Sequence, residues 1–448
     1  MNTSLSEILL EKFADRLTIS MADHAKYFPG ESARRQPIHT VYGGAHLFKS
    51  DTAIRLGKFA ERFFREYAPD ATTFTNVFGI DPSLSEIIYT RIAEKLEREA
   101  VEDFRIDFED GYGIRSDEEE DGHAVSSALE IAKGMAAGTL SPFTGIRIKS
   151  LSAESHLRGI RTLDLFLTTL IEASNGKLPE NFVVTLPKIE LPEQVTLLVD
   201  ILDEIESKLG IATGLIKIEL MIETTQSIFG SDGSATMPLL LVATRGRCSG
   251  AHFGAYDYTA SCGITAASQD LLHPACDFAR NMMQVSFGGT GVFLSDGATN
   301  ILPIAPHRGE NLTAEQLAEN KDVVQRAWKI HYDHCRRSLA NGFYQGWDLH
   351  PAQIVSRYAA VFAFFLESRD AAGERLKYFV ETAARATLVG NVFDDAATGQ
   401  GLLNFFLRAI NCGAVTESEA ALRTGLTVEN LHSMSFAEIL CSRDRMFR

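Results

Sequence analysis

Short apolar, strand-like runs recur along the chain with helix-length stretches between them. From the N-terminus they are HTVYGGAHLF (39–48), DFRIDFED (103–110), GIRIKS (145–150), NFVVTLPKIE (181–190), IKIELMIET (216–224), CSGAHFGAYD (248–257), GVFLSDG (291–297) and FYQGWDLHP (343–351). Amphipathic helix candidates fall in the gaps, at 51–67, 84–101, 153–173 and 192–209. Eight strands separated by helix-length connections predict an α/β fold, a (β/α)8 TIM barrel. A doubly wound open sheet is the alternative, because periodicity cannot show closure. Neither G-x-G-x-x-G nor G-x-x-x-x-G-K-[ST] occurs in the sequence, which removes the main support for a nucleotide-binding sheet.

The ends of the chain read differently. MNTSLSEILLEKFADRL at the N-terminus has the pattern of an amphipathic helix, and strand signal disappears after His350. The predicted division is therefore 1–366, a barrel with an N-terminal helical extension, and 367–448, a helical C-terminal region. FFLRAI (405–410) and SFAEIL (435–440) place large apolar residues on helices of that region. An appendage of this size cannot bury them alone, so they are expected to cover the barrel or a neighbouring subunit, in a homo-oligomer.

Composition narrows the function classes. Of the 448 residues, 43 are Lys or Arg and 59 are Asp or Glu, a net charge of -16. That balance argues against a nucleic-acid or anionic-membrane partner, because both need a basic surface. The longest apolar run, around Met237 to Ala243, is far too short for a membrane span. The N-terminal segment has no basic n-region and no apolar core of a secretory signal. The six cysteines are scattered, with no C-x-x-C spacing, so a reduced cytoplasm is the expected location. The acidic run Asp117 to Asp121 reads as a solvated loop.

A barrel places its chemistry at the C-terminal ends of its strands. Polar residues gather there: Asp107, Glu109 and Asp110 after the second run, Arg147 and Lys149 after the third, Lys188 and Glu190 after the fourth. Glu223 follows the fifth run, Asp257 the sixth, Asp296 the seventh, and Asp348 and His350 the eighth. Glu223 and Asp257, on successive strands, suit a hard divalent cation such as Mg²⁺, which takes one or two carboxylates and completes its shell with water and substrate oxygens. Helix capping is the plain alternative for Glu223. Arg147 suits bidentate capture of a substrate carboxylate, or an ion pair with Asp107 or Glu109. Lys188 reads as an ammonium in a salt bridge more readily than as a Schiff-base lysine. His46, His252 and His350 are possible acid–base groups, each equally readable as a structural histidine. Gly44 and Gly254 lie where the backbone could approach a ligand closely.

The order of these motifs resembles the HpcH/HpaI aldolase and citrate lyase β-subunit superfamily, whose relatives include the malyl-CoA lyases. The matching pieces are IDFEDGYG (106–113), GIRIKS (145–150), TLPKIELPEQV (185–195), ELMIETTQSI (219–228), HFGAYDYTASCG (252–263) and GWDLHPAQI (346–354), in that order. The resemblance implies a (β/α)8 barrel that makes or breaks a C–C bond beside a carbonyl, with Mg²⁺ or Mn²⁺. Glu223 and Asp257 then match the metal ligands, and Arg147 the arginine that holds the substrate carboxylate. Asp107, Glu109 and Asp110 match the acidic cluster that anchors metal-bound waters, and Lys188 a lysine that forms no Schiff base. His46 is the candidate base for the hydroxyl proton; a metal-bound water is the alternative. The substrate is expected to be a small 2-oxo or hydroxy carboxylate, free or as a coenzyme A thioester. For coenzyme A the available cations are Arg34, Arg35, Lys149, Arg245 and Arg247. Departures are evident too: VYGGAHLF replaces the usual first strand, Lys149 stands where asparagine is common, and residues 230–251 are longer than usual. They leave open a malate-synthase-like condensation, or a barrel that binds without catalysis.

Overall fold

The computed structural model describes residues 4–32, 34–381, 387–389, 392–394, 396–433 and 439. Eight parallel strands close on themselves: β1 (His39–Gly44), β2 (Asp103–Asp107), β3 (Phe143–Arg147), β4 (Val183–Leu186), β5 (Lys217–Ile222), β6 (Cys248–Phe253), β7 (Phe293–Ala298) and β8 (Gln345–Asp348). Each pairs with the next, and β8 returns to β1 through Gly346 opposite His39 and Trp347 opposite Thr40. The strand runs read from the sequence all appear, in a (β/α)8 barrel. The open-sheet alternative is excluded by the β1–β8 pairing.

Period-2 alternation explains the sidedness of these strands. In DFRID, Phe104 and Ile106 are buried under the helix layer, whereas Asp103, Arg105 and Asp107 point inward. The direction follows from contacts across the barrel: Arg105 on β2 donates to Glu219 on β5 at 2.9 Å, and these strands are not neighbours. The barrel interior is thus polar. Thr185 donates to Glu219, Thr40 to Asp103, and Gln345 to Thr40, so the buried charges and hydroxyls satisfy one another.

Helices occupy the connections. The acidic run is not a loop: it forms the first turn of helix Asp117–Ala137, capped by Ser116 through the Glu119 amide. Acidic side chains complement the positive end of a helix, so the same charges that suggest solvation favour helix initiation. The long helix Gln353–Glu381 runs unbroken through residue 366, so the division expected at 366/367 falls inside one element. Residues 367–448 are also not wholly helical. A short antiparallel pair, β9 (Thr387–Val389) and β10 (Val392–Asp394), precedes helix Ala396–Cys412.

The apolar FFLRAI segment is covered within the chain. Phe406 is fully buried, and the Phe405 ring lies 5.1 Å from that of Phe365 on the long helix. Of SFAEIL, only Ile439 lies within the described residues, and it is buried. The N-terminal helix Glu7–Tyr27 buries none of its residues against the rest of the chain. Among the described residues, no helix is long and apolar enough to cross a membrane.

Candidate active site

The ends of β2 to β5 and the helix that follows β6 converge at the C-terminal mouth. Arg147, the last residue of β3, is buried and faces Asp107, the last residue of β2, across a two-pronged contact. Nε donates to Oδ1 at 2.7 Å and Nη2 to Oδ2 at 2.6 Å. Asp107 also accepts from the backbone amides of Glu109 (3.0 Å) and Gly111 (2.7 Å), which locks the carboxylate and, through it, the guanidinium plane. Arg147 Nη1 is left facing the mouth, 3.3 Å from Glu109 Oε2 and 4.0 Å from Asp110 Oδ2. The ion-pair reading of Arg147 holds with both acids, Asp107 through Nε and Nη2 and Glu109 through Nη1.

Lys188 follows β4 and gathers the acids. Its ammonium contacts Glu109, donates to Asp110 at 2.9 Å, and lies 3.8 Å from Asp257 Oδ2. These anions raise its pKa against the burial that would lower it, so it is held charged. Its backbone is unusual: φ is +50°, in the left-handed region that a side chain disfavours. In that conformation the Lys188 amide donates to Glu223 Oε1 at 2.6 Å. Local strain of this kind is retained where the surroundings impose it, commonly at functional sites.

Glu223 follows β5 directly and is 1% exposed. Burial first, and then the charge of Asp257, push its carboxyl up to about 8, against Arg147 and Lys188. Asp257 is also raised, by burial and by Asp110, although Lys188 opposes this. The sequence placed Asp257 at a strand end, but β6 stops at Phe253 and Asp257 sits in the first turn of helix Ala255–Ser261. The reach of that turn restores the pairing. Gly254 makes it possible, since a Cβ there would lie 2.5 Å from Glu223 Cβ.

Among the described residues, no group of three or more His, Cys, Asp or Glu forms a ready cation cage. The donor set nevertheless suits Mg²⁺ or Mn²⁺, which bind through one or two carboxylates with water completing the shell. The buried carboxyl of Glu223 and the half-exposed one of Asp257 are both held above their ordinary values, and a divalent ion between them would lower both. Thus Arg147, Asp107, Glu109, Asp110, Lys188, Glu223 and Asp257 are brought into one network.

The other sequence candidates fare differently. His46 sits in a turn beyond β1, its ring 5.6 Å from that of Tyr112 and 6.2 Å from that of His123, above the loop after β2. Burial and the nearby Arg115 and His123 lower its pKa, and its buried Nδ1 has no hydrogen-bond partner. Gly44 makes room for the chain itself: a Cβ there would meet Gly111 O at 2.5 Å and His46 Cε1 at 2.6 Å. Asp296 and Asp348 point away from the mouth. Asp296 accepts from Arg280 and Ser338, and Asp348 from Arg357 with His39 and His331 alongside, all in the helix layer or behind the strands. His350 packs beside Phe59 and Phe63 instead.

Four of the five cations considered for coenzyme A lie at the opposite end, ahead of β1 or β6. Arg35 pairs with Glu99 and Glu102, and Arg247 with Asp203 and Glu206. Lys149 is at the mouth but donates to Phe108 O and pairs with Glu120.

Sequence reasoning missed the floor of the site. Tyr42 and Trp347 point up the barrel axis beneath Arg147, whose Cζ lies 4.8 Å from the Tyr42 ring and 6.0 Å from the Trp347 ring. Strict alternation along HTVYGG and QGWD, counted inward from Thr40 and Gln345, would have found both.

A family model described as a domain of unknown function, DUF6986, matches residues 17–439. The chain belongs to this family. No curated protein matches it. Among solved structures, a citrate lyase from Burkholderia xenovorans LB400 is 16% identical, with a TM-score of 0.56 over 88% of this chain and 96% of that one. CitE from Mycobacterium tuberculosis is 14% identical (TM-score 0.43, 85% of this chain, 100% of that chain). Malate synthase from Haloferax volcanii is 14% identical (TM-score 0.45, 90% of this chain, 100% of that chain). At such identities the likeness is one of fold, a (β/α)8 barrel.

Proposed function

We propose that the protein is a divalent-metal-dependent carbon–carbon lyase or aldolase. Its substrate class is a small 2-oxo or hydroxy carboxylate, free or as a coenzyme A thioester. The observation that carries the reading is the buried carboxyl of Glu223, raised to about 8 beside Asp257 and within the same network as Arg147. Breaking a β-hydroxy acid between Cα and Cβ leaves an enolate, and its charge develops in the transition state. Mg²⁺ or Mn²⁺ held by Glu223 and Asp257 would supply the Lewis acid for that oxygen. Arg147 would bind the substrate carboxylate through Nη1 while Asp107 fixes its plane, placing positive charge where it is needed. Lys188 holds Glu109 and Asp110 in place as an ammonium and forms no covalent adduct. His46, whose pKa is lowered by burial and by the nearby Arg115 and His123, is the candidate base for the hydroxyl proton; a metal-bound water is the alternative.

A screen of 2-oxo acids and hydroxyacyl-CoA thioesters with and without Mg²⁺ tests this. Metal-dependent cleavage is expected and full turnover after exhaustive chelation would refute it. Condensation of glyoxylate with an acyl-CoA, with net release of coenzyme A, would instead favour the malate-synthase-like reading. Ligand binding without turnover would favour a non-catalytic barrel.

A further inference from the structure

Below Arg147 the barrel is closed by two rings. The Tyr42 and Trp347 centroids are 4.6 Å apart with a 37° tilt, and both side chains are partly accessible although both point inward. There is no room to sink beneath them, because Arg105, Thr185 and Glu219 fill the next layer with mutual hydrogen bonds. A carboxylate reaching Arg147 therefore has these two rings, and no deeper cavity, beneath it.

The height of that indole is fixed from below. Trp347 Nε1 donates to His252 Nδ1 at 3.2 Å, and His252 Nε2 lies 3.2 Å from Glu219 Oε1. An indole N–H only donates, so Nδ1 is the acceptor and Nε2 carries the proton that Glu219 receives. The Tyr42 hydroxyl is 3.5 Å from the same Nδ1. Glu219 is in turn clamped by Arg105. The lower links are buried and the upper ones half-buried, and the rings cannot retreat without breaking a hydrogen bond to His252.

We propose that Trp347, held in place by the positioning residue His252, limits the substrate to short, unbranched 2-oxo carboxylates of about the size of pyruvate. This rests on the reading of the mouth as a carboxylate site. The indole occupies the space a longer or branched chain would need, and its face shields the reacting carbons from water.

The chain has two tryptophans, and the other, Trp328, is fully buried with its N–H on Ala352 O at 2.7 Å. Trp347 is thus the fluorophore that a ligand in the mouth touches. With Mg²⁺ present, pyruvate should change the emission of the wild-type protein, and Trp347→Phe should abolish that response. Calorimetry with pyruvate, 2-oxobutyrate and 2-oxoisovalerate should rank wild-type affinity in that order, with at least a tenfold loss for the branched acid. Trp347→Ala should tighten 2-oxoisovalerate at least tenfold relative to pyruvate, and Trp347→Phe should fall between. His252→Gln, whose amide can both accept from the indole and donate to Glu219, should keep the wild-type ranking, whereas His252→Leu should blur it. If the alanine variant does not fold, the phenylalanine variant decides by the same ranking. An unchanged ranking in the folded Trp347 variant overturns the inference alone. If the wild type binds none of the three acids, the carboxylate-site reading falls with it.

Discussion

Glu219 and Glu223 lie four residues apart, both inward and both buried, yet their carboxyls are driven in opposite directions. Against its burial, Arg105 and His252 hold Glu219 well below the ordinary carboxylate range. Asp103, which shares Arg105, is raised by its burial, so one guanidinium settles one carboxylate and not two. Glu223, two layers higher, has the Lys188 amide and more distant cations but no ion pair among the described residues, and rises to about 8. The lower layer is a completed network that closes the barrel. The upper layer is short of positive charge at the place where a TIM barrel does chemistry. Burial is common to both layers; charge balance separates structure from site.

Removing each acid should break that symmetry most visibly in stability. Glu219→Gln removes one of the two carboxylates that neutralise the buried Arg105 and should cost about 3–5 kcal/mol in urea unfolding. Glu223→Gln should cost little at pH 7 and change the pH dependence instead. The native carboxyl keeps its proton up to about 8 whereas an unfolded one releases it near 4.5, so the native state binds more protons between those values. Wild-type stability should therefore fall as pH rises through that window, by about 1.4 kcal/mol for each pH unit crossed, and level off above it. In Glu223→Gln this slope should disappear. Equal losses at pH 7 in the two variants would erase the distinction between the layers.

Substitution at Arg147 probes whether the upper layer binds substrate. Arg147→Lys removes the fork that meets Asp107, and binding of a substrate carboxylate should weaken by about 2 kcal/mol, roughly thirtyfold in Kd by calorimetry. Metal affinity should be nearly unchanged. Were metal binding lost while carboxylate binding survived, the assigned roles would be reversed.

The smallest effect concerns the backbone. Lys188→Gly should be about 1 kcal/mol more stable than Lys188→Ala in thermal unfolding, because φ of +50° suits glycine and strains alanine. Both should lose activity with the ammonium. If the two variants unfold alike, the strain at Lys188 is not stored in the native state.

Much of this was legible in the sequence. The eight runs, their order and the rim positions of Arg147, Lys188 and Glu223 follow from alternation and from where apolar runs end. What alternation cannot give is which way a residue beyond a strand end turns. Asp348 ends β8 as Asp107 ends β2, and Asp296 lies within β7; both face outward to arginines on the helices, which depends on the register of a single residue. Asp257 reaches the site from a helical turn, a step that Gly254 permits and that no periodicity encodes. The basic residues considered for coenzyme A were grouped by charge, and the fold sends most of them to the opposite end. His252 looked like one of three interchangeable histidines; its partners Trp347 and Glu219 come from strands far apart in sequence.

Titration of the metal-free protein with Mn²⁺ tests the central claim most directly, followed by calorimetry in two buffers of different ionisation enthalpy at pH 7. The account predicts one site, release of close to one proton on binding because Glu223 must give up the one it holds, affinity rising with pH up to about 8, and loss of the site in Glu223→Gln but not in Arg147→Lys. Binding without proton release that persists in Glu223→Gln, or no binding at all, would contradict it.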